Sequence, residues 1–363
     1  MTAPQAEASG EPRIGWGVIG IGGIAARRVV PELRDHARHS TAVAAVGDDA
    51  GHDRALASEL GIPACYSSVH ELLEDPAVEA VYIATPNDLH IEQALATARA
   101  GKPLLSEKPL GRTVCEAEEI VAACRDAGLL LGTGFMMRQH GLHFRAAEMV
   151  AEGAIGTPVL ARAQLTCWYP PLPGAWRQDP LRSGGGCLVD MGCHCIDLLE
   201  FLLSSRVSEV TAQQSRLVHS YAVEDVSAAL LRFENGAIGI VDNAYNIPDQ
   251  SSANRLELYG SGGSIMAQGT IGQSSAGSMK ISSSHQTEYA SAQKRGGEDF
   301  AFREITAPPV PLYAAQMDAF ARSLLYGEPL KSPGEDGLWS ARVLDAIYRS
   351  VQTGRTQKVT GAA

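Results

Sequence analysis

The sequence predicts an α/β protein: a doubly wound parallel sheet in its first part, followed by a second α/β domain richer in strands. Three observations carry that prediction. A short apolar strand, a glycine-rich turn and a helical pattern succeed one another over residues 14–33. Short apolar strands then alternate with helical segments as far as Thr133, an order that implies parallel crossovers. Beyond Leu203 the period changes to two, with a hairpin signal at Glu234-Asn235-Gly236.

Length and composition bound what these elements can build. A chain of 363 residues exceeds one ordinary core, and domains usually run to roughly 100–200 residues. The expected division is a loose tail over 1–12, a first domain over 13–134 and a second over 135–363. The opening residues are small and polar, without the basic start and apolar run of a signal peptide. No apolar stretch approaches the roughly 18 residues of a membrane span, and 41 acidic against 30 basic residues give a formal charge of −11, which argues against a nucleic-acid partner. A cytoplasmic location is expected. The seven cysteines are odd in number and form no Cys-x-x-Cys pair, so they read as reduced thiols. Cys193-His194-Cys195 resembles a metal site only on paper: neighbouring side chains on a helix diverge by roughly 100°, so no metal is expected.

The first strand ends in Gly20-Ile21-Gly22-Gly23-Ile24-Ala25, ahead of a helical pattern carried by Ile24, Val29, Val30 and Leu33. Gly20 permits a sharp turn and Gly22 lets the backbone approach a pyrophosphate. Ala25 lets helix and strand pack closely, and the helix start, with Gly23 and Ile24, offers N–H groups to an anion. A second strand at 42–46 leads to Gly47-Asp48-Asp49. Asp48 is placed to grip an adenosine ribose and to repel a 2′-phosphate, which favours NAD over NADP; the alternative is a solvated acidic loop. A later strand over 78–84 ends in Thr85-Pro86-Asn87 with His90 following, and the next ends in Glu107-Lys108-Pro109. Ligands of open α/β sheets sit outside the carboxyl ends of the strands, so Thr85, Pro86, Asn87, His90, Glu107 and Lys108 are expected to face the cofactor.

In the second domain a strand over 159–167 precedes a long loop with Trp168, Tyr169, Trp176 and Arg177. Such a loop either binds a ligand, its aromatic faces against the C–H faces of a sugar, or packs a partner chain. A helix is expected from Gly186 to about Leu203, with Asp190, His194, Asp197 and Phe201 opposite an apolar stripe. Three glycines at its start would leave helix N–H groups available. Asp190 precedes His194 by one turn, so its carboxylate can orient the imidazole, which as a general base titrates near 6.5 when unperturbed. Asp197 completes a charged network or bonds nearby backbone. The stretch 268–284 is rich in Ser and Gly and reads as irregular strands or loops. Amphipathic helices at 313–326 and 338–353 close the chain.

Taken together, the glycine turn at 20–25, Thr85-Pro86-Asn87 with His90, Glu107-Lys108-Pro109, Trp176-Arg177 with Ser183-Gly184-Gly185-Gly186, Asp190-x-Gly192-x-His194-x-x-Asp197 and Gly334-Glu335-Asp336-Gly337 make the sequence resemble the Gfo/Idh/MocA family over nearly its whole length. The resemblance implies a Rossmann domain and an α/β domain whose open, largely antiparallel sheet forms a homodimer or homotetramer interface. It also implies hydride transfer between NAD(P) and a carbinol carbon of a sugar or cyclitol. By the same resemblance Lys108, Asp190 and His194 are catalytic; with these three, Arg138 and the loop residues Trp176 and Arg177 are the expected substrate contacts. Segments 135–140 and 168–183 are similar to anhydrofructose reductases. Those that use NADPH tend to carry Ser or Arg after the second strand, where this chain has Gly47-Asp48-Asp49. Two other readings stand beside this one: a glycosidase that oxidises its sugar transiently and retains its NAD, and a dinucleotide-binding regulator without catalysis.

Overall fold

A computed structural model describes residues 10–284 and 301–361, so residues 1–9 of the expected tail lie outside the described residues. β1 (Ile14–Ile19) is buried along its whole length, as a central parallel strand covered on both faces must be. Gly17 has no room for a side chain, since a Cβ there would lie 2.7 Å from Leu72. After the glycine turn the chain makes a π-helical turn at Ala25–Val29 and then α1 (Val30–His36). β2 (Ser40–Val46), α2 (Ala50–Leu60), β3 (Ala64–Cys65), α3 (Val69–Glu74), β4 (Ala80–Ile83), α4 (His90–Arg99), β5 (Leu104–Ser106), α5 (Val114–Asp126) and β6 (Leu131–Thr133) follow. The six parallel strands lie in the order β3-β2-β1-β4-β5-β6. The strand order therefore reverses between β1 and β4, where a cleft opens at their carboxyl ends.

The second domain contains α6 (Gly141–Ala151), β7 (Pro158–Thr166), α7 (Pro180–Ser183), α8 (Cys193–Leu203), β8 (Val207–Ser215), β9 (Val226–Phe233), β10 (Ile238–Ala244), β11 (Arg255–Gly260), β12 (Gly263–Gln268), β13 (Ser278–Ser283) and β14 (Arg303–Ile305). α9 (Leu312–Tyr326), α10 (Gly334–Thr353) and β15 (Gln357–Lys358) complete it. Its nine strands run β14-β13-β12-β11-β7-β10-β9-β8-β15. All neighbours are antiparallel except β7 and β10. Alternate residues of β9 are buried, Ser227, Ala229, Leu231 and Phe233 facing the helices, so one face is covered and the other open.

Two local expectations are corrected. The Ser/Gly-rich stretch has no strand over 269–277, as expected, but ends in a regular one, β13, paired with β12, because Met279 and Ile281 fill alternate buried positions there. The expected helix from Gly186 begins as a π-helical turn, Leu188–Gly192, in which the Cys193 N–H reaches back to the Leu188 carbonyl. α8 then has no solvated stripe: every residue from Cys193 to Leu203 except Phe201 is buried.

The final helices return to the first domain. Trp16 of β1 and Phe320 of α9 have ring centroids 5.2 Å apart, and the Asp318 carboxylate accepts the backbone N–H groups of Arg38 and His39 at 2.8 and 3.0 Å. α10 packs on α5 and β6. α9 and α10 thus stitch the two sheets together. Among the described residues no helix is long and apolar enough to cross a membrane.

Candidate active site

A cleft of about 720 Å³ lies between the two sheets, at the switch point of the first. The glycine turn forms its floor. Gly20 has φ +92°, and a Cβ there would lie 2.8 Å from Ala84 and Thr85, so only glycine fits. Gly22 and Gly23 also line the cleft, and a Cβ on either would meet no atom within 4 Å. That open space beside a helix start suits a pyrophosphate, and the residues here fit an NAD-type dinucleotide. Of the two acids after β2, Asp49 is committed as N-cap of α2, accepting from Gly51 and His52 N–H at 3.0 and 3.1 Å. Asp48 lines the cleft beside His52 and Asp53.

Thr85, Pro86 and Asn87 line the cleft where β4 ends, and Asn87 Nδ2 donates to the Ser183 carbonyl of the second domain at 2.8 Å. His90 does not line it. It is fully buried, its Nδ1 2.9 Å from the Pro109 carbonyl and its Nε2 3.1 Å from that of Thr85. Helical side chains lean towards the N-terminus of their helix, which on the first turn of α4 directs His90 under the strand ends rather than at a ligand. Burial lowers its pKa, and it acts as a brace between two cleft-forming segments. Glu107 faces the cleft and accepts from the Tyr82 hydroxyl at 2.6 Å; burial pushes its carboxyl up.

Lys108 and Asp190 meet across the cleft. Lys108 Nζ donates to Asp190 Oδ1 at 2.9 Å and to its backbone carbonyl at 2.6 Å. The Tyr245 hydroxyl donates to Oδ2 at 2.9 Å, and Arg177 Nε lies 3.4 Å from Oδ1. Burial alone would raise the Asp190 carboxyl, but the Lys108 ammonium and Arg177 guanidinium outweigh it and hold the group far below the usual carboxylate range. Burial works against the Lys108 ammonium too, and Asp190 overrides it, so Lys108 is raised.

His194 lines the same cleft, yet the expected contact with Asp190 is absent. The π turn aims Asp190 at Lys108, and His194 Nδ1 is buried with no hydrogen-bond partner among the described residues. The ring stands edge-on to Phe135 at 6.3 Å. Burial, reinforced by Lys108, carries the His194 pKa well below 6.5, a further correction to the sequence reading. The glycines before the π turn also act differently from expectation. A Cβ on Gly186 would lie 2.1 Å from the Glu224 carbonyl, and the Gly186 and Leu188 N–H groups both donate to Glu224 Oε1, at 2.9 and 3.1 Å. The close approach is made by the protein itself, not by a ligand.

On the second-domain wall stand Leu165, Cys167, Tyr169, Trp176, Arg177 and Met191, with the Arg177 guanidinium 4.3 Å from the centre of the Trp176 ring. Arg138 is not in the cleft. It is buried in ion pairs to Asp197 at 2.5 Å and Asp336 at 2.6 Å, and it donates to the Lys331 carbonyl at 2.6 Å. The carboxylates on α8 and α10 and the Lys331 carbonyl take four of its five N–H donors, and its buried position keeps it from a substrate in the cleft. The sequence reading missed Tyr245, Arg27, Gln273 and Tyr313, all cleft residues. Tyr245 was detectable, one residue past the carboxyl end of a strand; Gln273 and Tyr313 carry no local signal. Among the described residues no cluster of His, Cys, Asp or Glu could hold a metal ion.

Residues 14–144 match the oxidoreductase family with an NAD-binding Rossmann fold, and residues 143–266 match the Gfo/Idh/MocA C-terminal domain. The chain belongs to the Gfo/Idh/MocA family. Its first domain is accordingly an NAD-binding Rossmann domain, and the protein is an oxidoreductase of a family that acts on sugars and cyclitols. Among its relatives, a 1,5-anhydro-D-fructose reductase of Ensifer adhaerens is 32% identical, over 95% of this chain and 98% of its own. A myo-inositol 2-dehydrogenase of Thermotoga maritima is 28% identical, over 84% and 87% respectively. The crystal structure of an aldose-aldose oxidoreductase from Caulobacter crescentus complexed with glycerol superposes with a TM-score of 0.85, at 27% identity over 95% of this chain and 99% of that one.

Proposed function

We propose that the protein moves a hydride between a nicotinamide and a carbinol carbon of a sugar, sugar derivative or cyclitol, with His194 as general acid/base. The observation that carries this reading is the gathering of Lys108, Asp190 and His194 in one cleft with the glycine turn on one side and Tyr169, Trp176 and Arg177 on the other. When bound, NAD supplies the hydride acceptor for oxidation and, reduced, the donor for the reverse reaction. Neutral His194 takes the proton of the reacting hydroxyl. Lys108 donates a hydrogen bond to the same oxygen and offsets the negative charge that develops on it. Asp190 keeps Lys108 charged and in place without touching the imidazole. The Trp176 and Tyr169 rings supply apolar faces for C–H groups, and Arg177 supplies donors for hydroxyls.

Asp48 at the cleft rim supports NAD over NADP, since a carboxylate accepts from ribose hydroxyls and repels a 2′-phosphate. The open face of the second sheet, where Leu230 and Ile238 are exposed, is where copies of the chain would join. The test is the absorbance of the reduced nicotinamide during incubation with NAD and a panel of sugars and cyclitols. Net reduction of NAD is expected. Substrate cleavage without net reduction would favour the NAD-retaining glycosidase, and no turnover with any member would favour the regulator.

A further inference from the structure

The connection between β12 and β13 crosses from the second domain to the glycine turn of the first. Gly272 and Gln273 line the same cleft as Gly20, Gly22, Gly23 and Arg27. Arg28 Nη2 donates to the Gln273 carbonyl at 2.5 Å, and His140 Nε2 lies 3.1 Å from the Ala276 carbonyl. Arg28 is in turn paired with Glu32 at 2.9 Å, and Glu32 accepts the Tyr313 N–H at the start of α9, also at 2.9 Å. Thr270 and Ile271, just ahead of the cleft-lining pair, are buried, so the segment leaves a packed base.

A second observation concerns space. Gly22 on the first domain and Gly272 on the second both have ordinary negative or extended backbone angles, and at both an added Cβ would meet no atom within 4 Å. Among the described residues no neighbour requires either to be small. Both lie in the cleft, so the space between them is open to a ligand, and beside a helix start an anion suits it.

We propose that segment 269–277 is a strap over the dinucleotide's pyrophosphate, with Gln273 a cofactor-contacting residue whose side-chain amide donates to a phosphate oxygen. Arg28 and His140 hold the strap from either side. The proposal rests on the NAD-binding reading and extends it to a second-domain segment. Its test is binding rather than turnover: NADH fluorescence titration of the full chain, with ADP-ribose as competitor. Gln273→Ala should weaken NADH about tenfold, the size of one hydrogen bond to an ionised group. Gly272→Val should weaken it at least as much while leaving the unfolding temperature unchanged. ADP-ribose, which retains the pyrophosphate and lacks nicotinamide, should lose affinity by the same factors. Normal NADH binding by both variants, or a loss that spares ADP-ribose, would overturn the strap alone. Failure of the unaltered protein to bind NADH would overturn the cofactor reading beneath it.

Discussion

Asp190 receives Lys108, Tyr245 and Arg177 at once, so the carboxylate serves as the counter-charge of the site rather than as a partner of His194. Removing His194 should therefore abolish proton transfer without disturbing that cluster: His194→Ala is expected to lower turnover by roughly 10² to 10⁴ with NADH affinity little changed, measured by steady-state kinetics and fluorescence titration. Undiminished turnover would reject His194 as the base. Its environment also sets a pH dependence. The neutral imidazole is the form that accepts a proton, and burial with Lys108 nearby depresses its pKa. The kcat/KM for oxidation should hold as pH falls through 6.5 and bend only at more acidic values, whereas an exposed histidine would bend it near 6.5. A bend at or above 6.5 that vanishes in the His194 variant would contradict this.

The elements that carry these residues are held by polar joints within the fold. Arg138 fastens the segment after β6 to α8 through Asp197 and to α10 through Asp336, and Arg206 joins Asp336 to Glu200. Arg206 still holds Asp336 in Arg138→Leu, but Asp197 is left buried without its counter-charge, and the change should cost about 3–5 kcal/mol in denaturant unfolding. A loss below about 1 kcal/mol would show the cluster to be wet and weak. At the other end of the same helix, Gly186 abuts the Glu224 backbone, which has no flexible tip to yield. Gly186→Ala should displace the π turn and with it Asp190, lowering kcat/KM as well as stability; an alanine variant with native kinetics would mean that the turn does not set the register of the site.

Across the whole molecule, His90, His143 and His194 are buried, and burial lowers the pKa of each, that of His143 to about 3. In the unfolded chain these groups titrate near 6.5, so on acidification the unfolded state binds protons first. Stability is therefore intact above about 6.5 and declines as pH falls towards the folded-state values, by up to about 1.4 kcal/mol per unit for each histidine. In His143→Gln the slope of unfolding free energy between pH 6 and 5 should shrink by about that amount; an unchanged slope would place the proton uptake elsewhere. What was legible in the sequence was local and periodic. The glycine turn, the strand ends that present Thr85, Pro86, Asn87 and Lys108, and the order of elements follow from sterics and side-chain periods that operate over a few residues. The placing of Arg138 and His90 was not legible, because each points into a space made by segments distant in the chain. The Lys108–Asp190 pairing required a π turn that no apolar period announces, and Gln273 reaches the cofactor cleft only because β12 and β13 aim their connection across it. Sequence alone determined which chemistry the chain could support, since residue types at strand ends and turns carry it. Only the packed tertiary structure decided which charged groups meet, because partners that close in space are chosen by how helices and sheets stack rather than by their separation along the polymer.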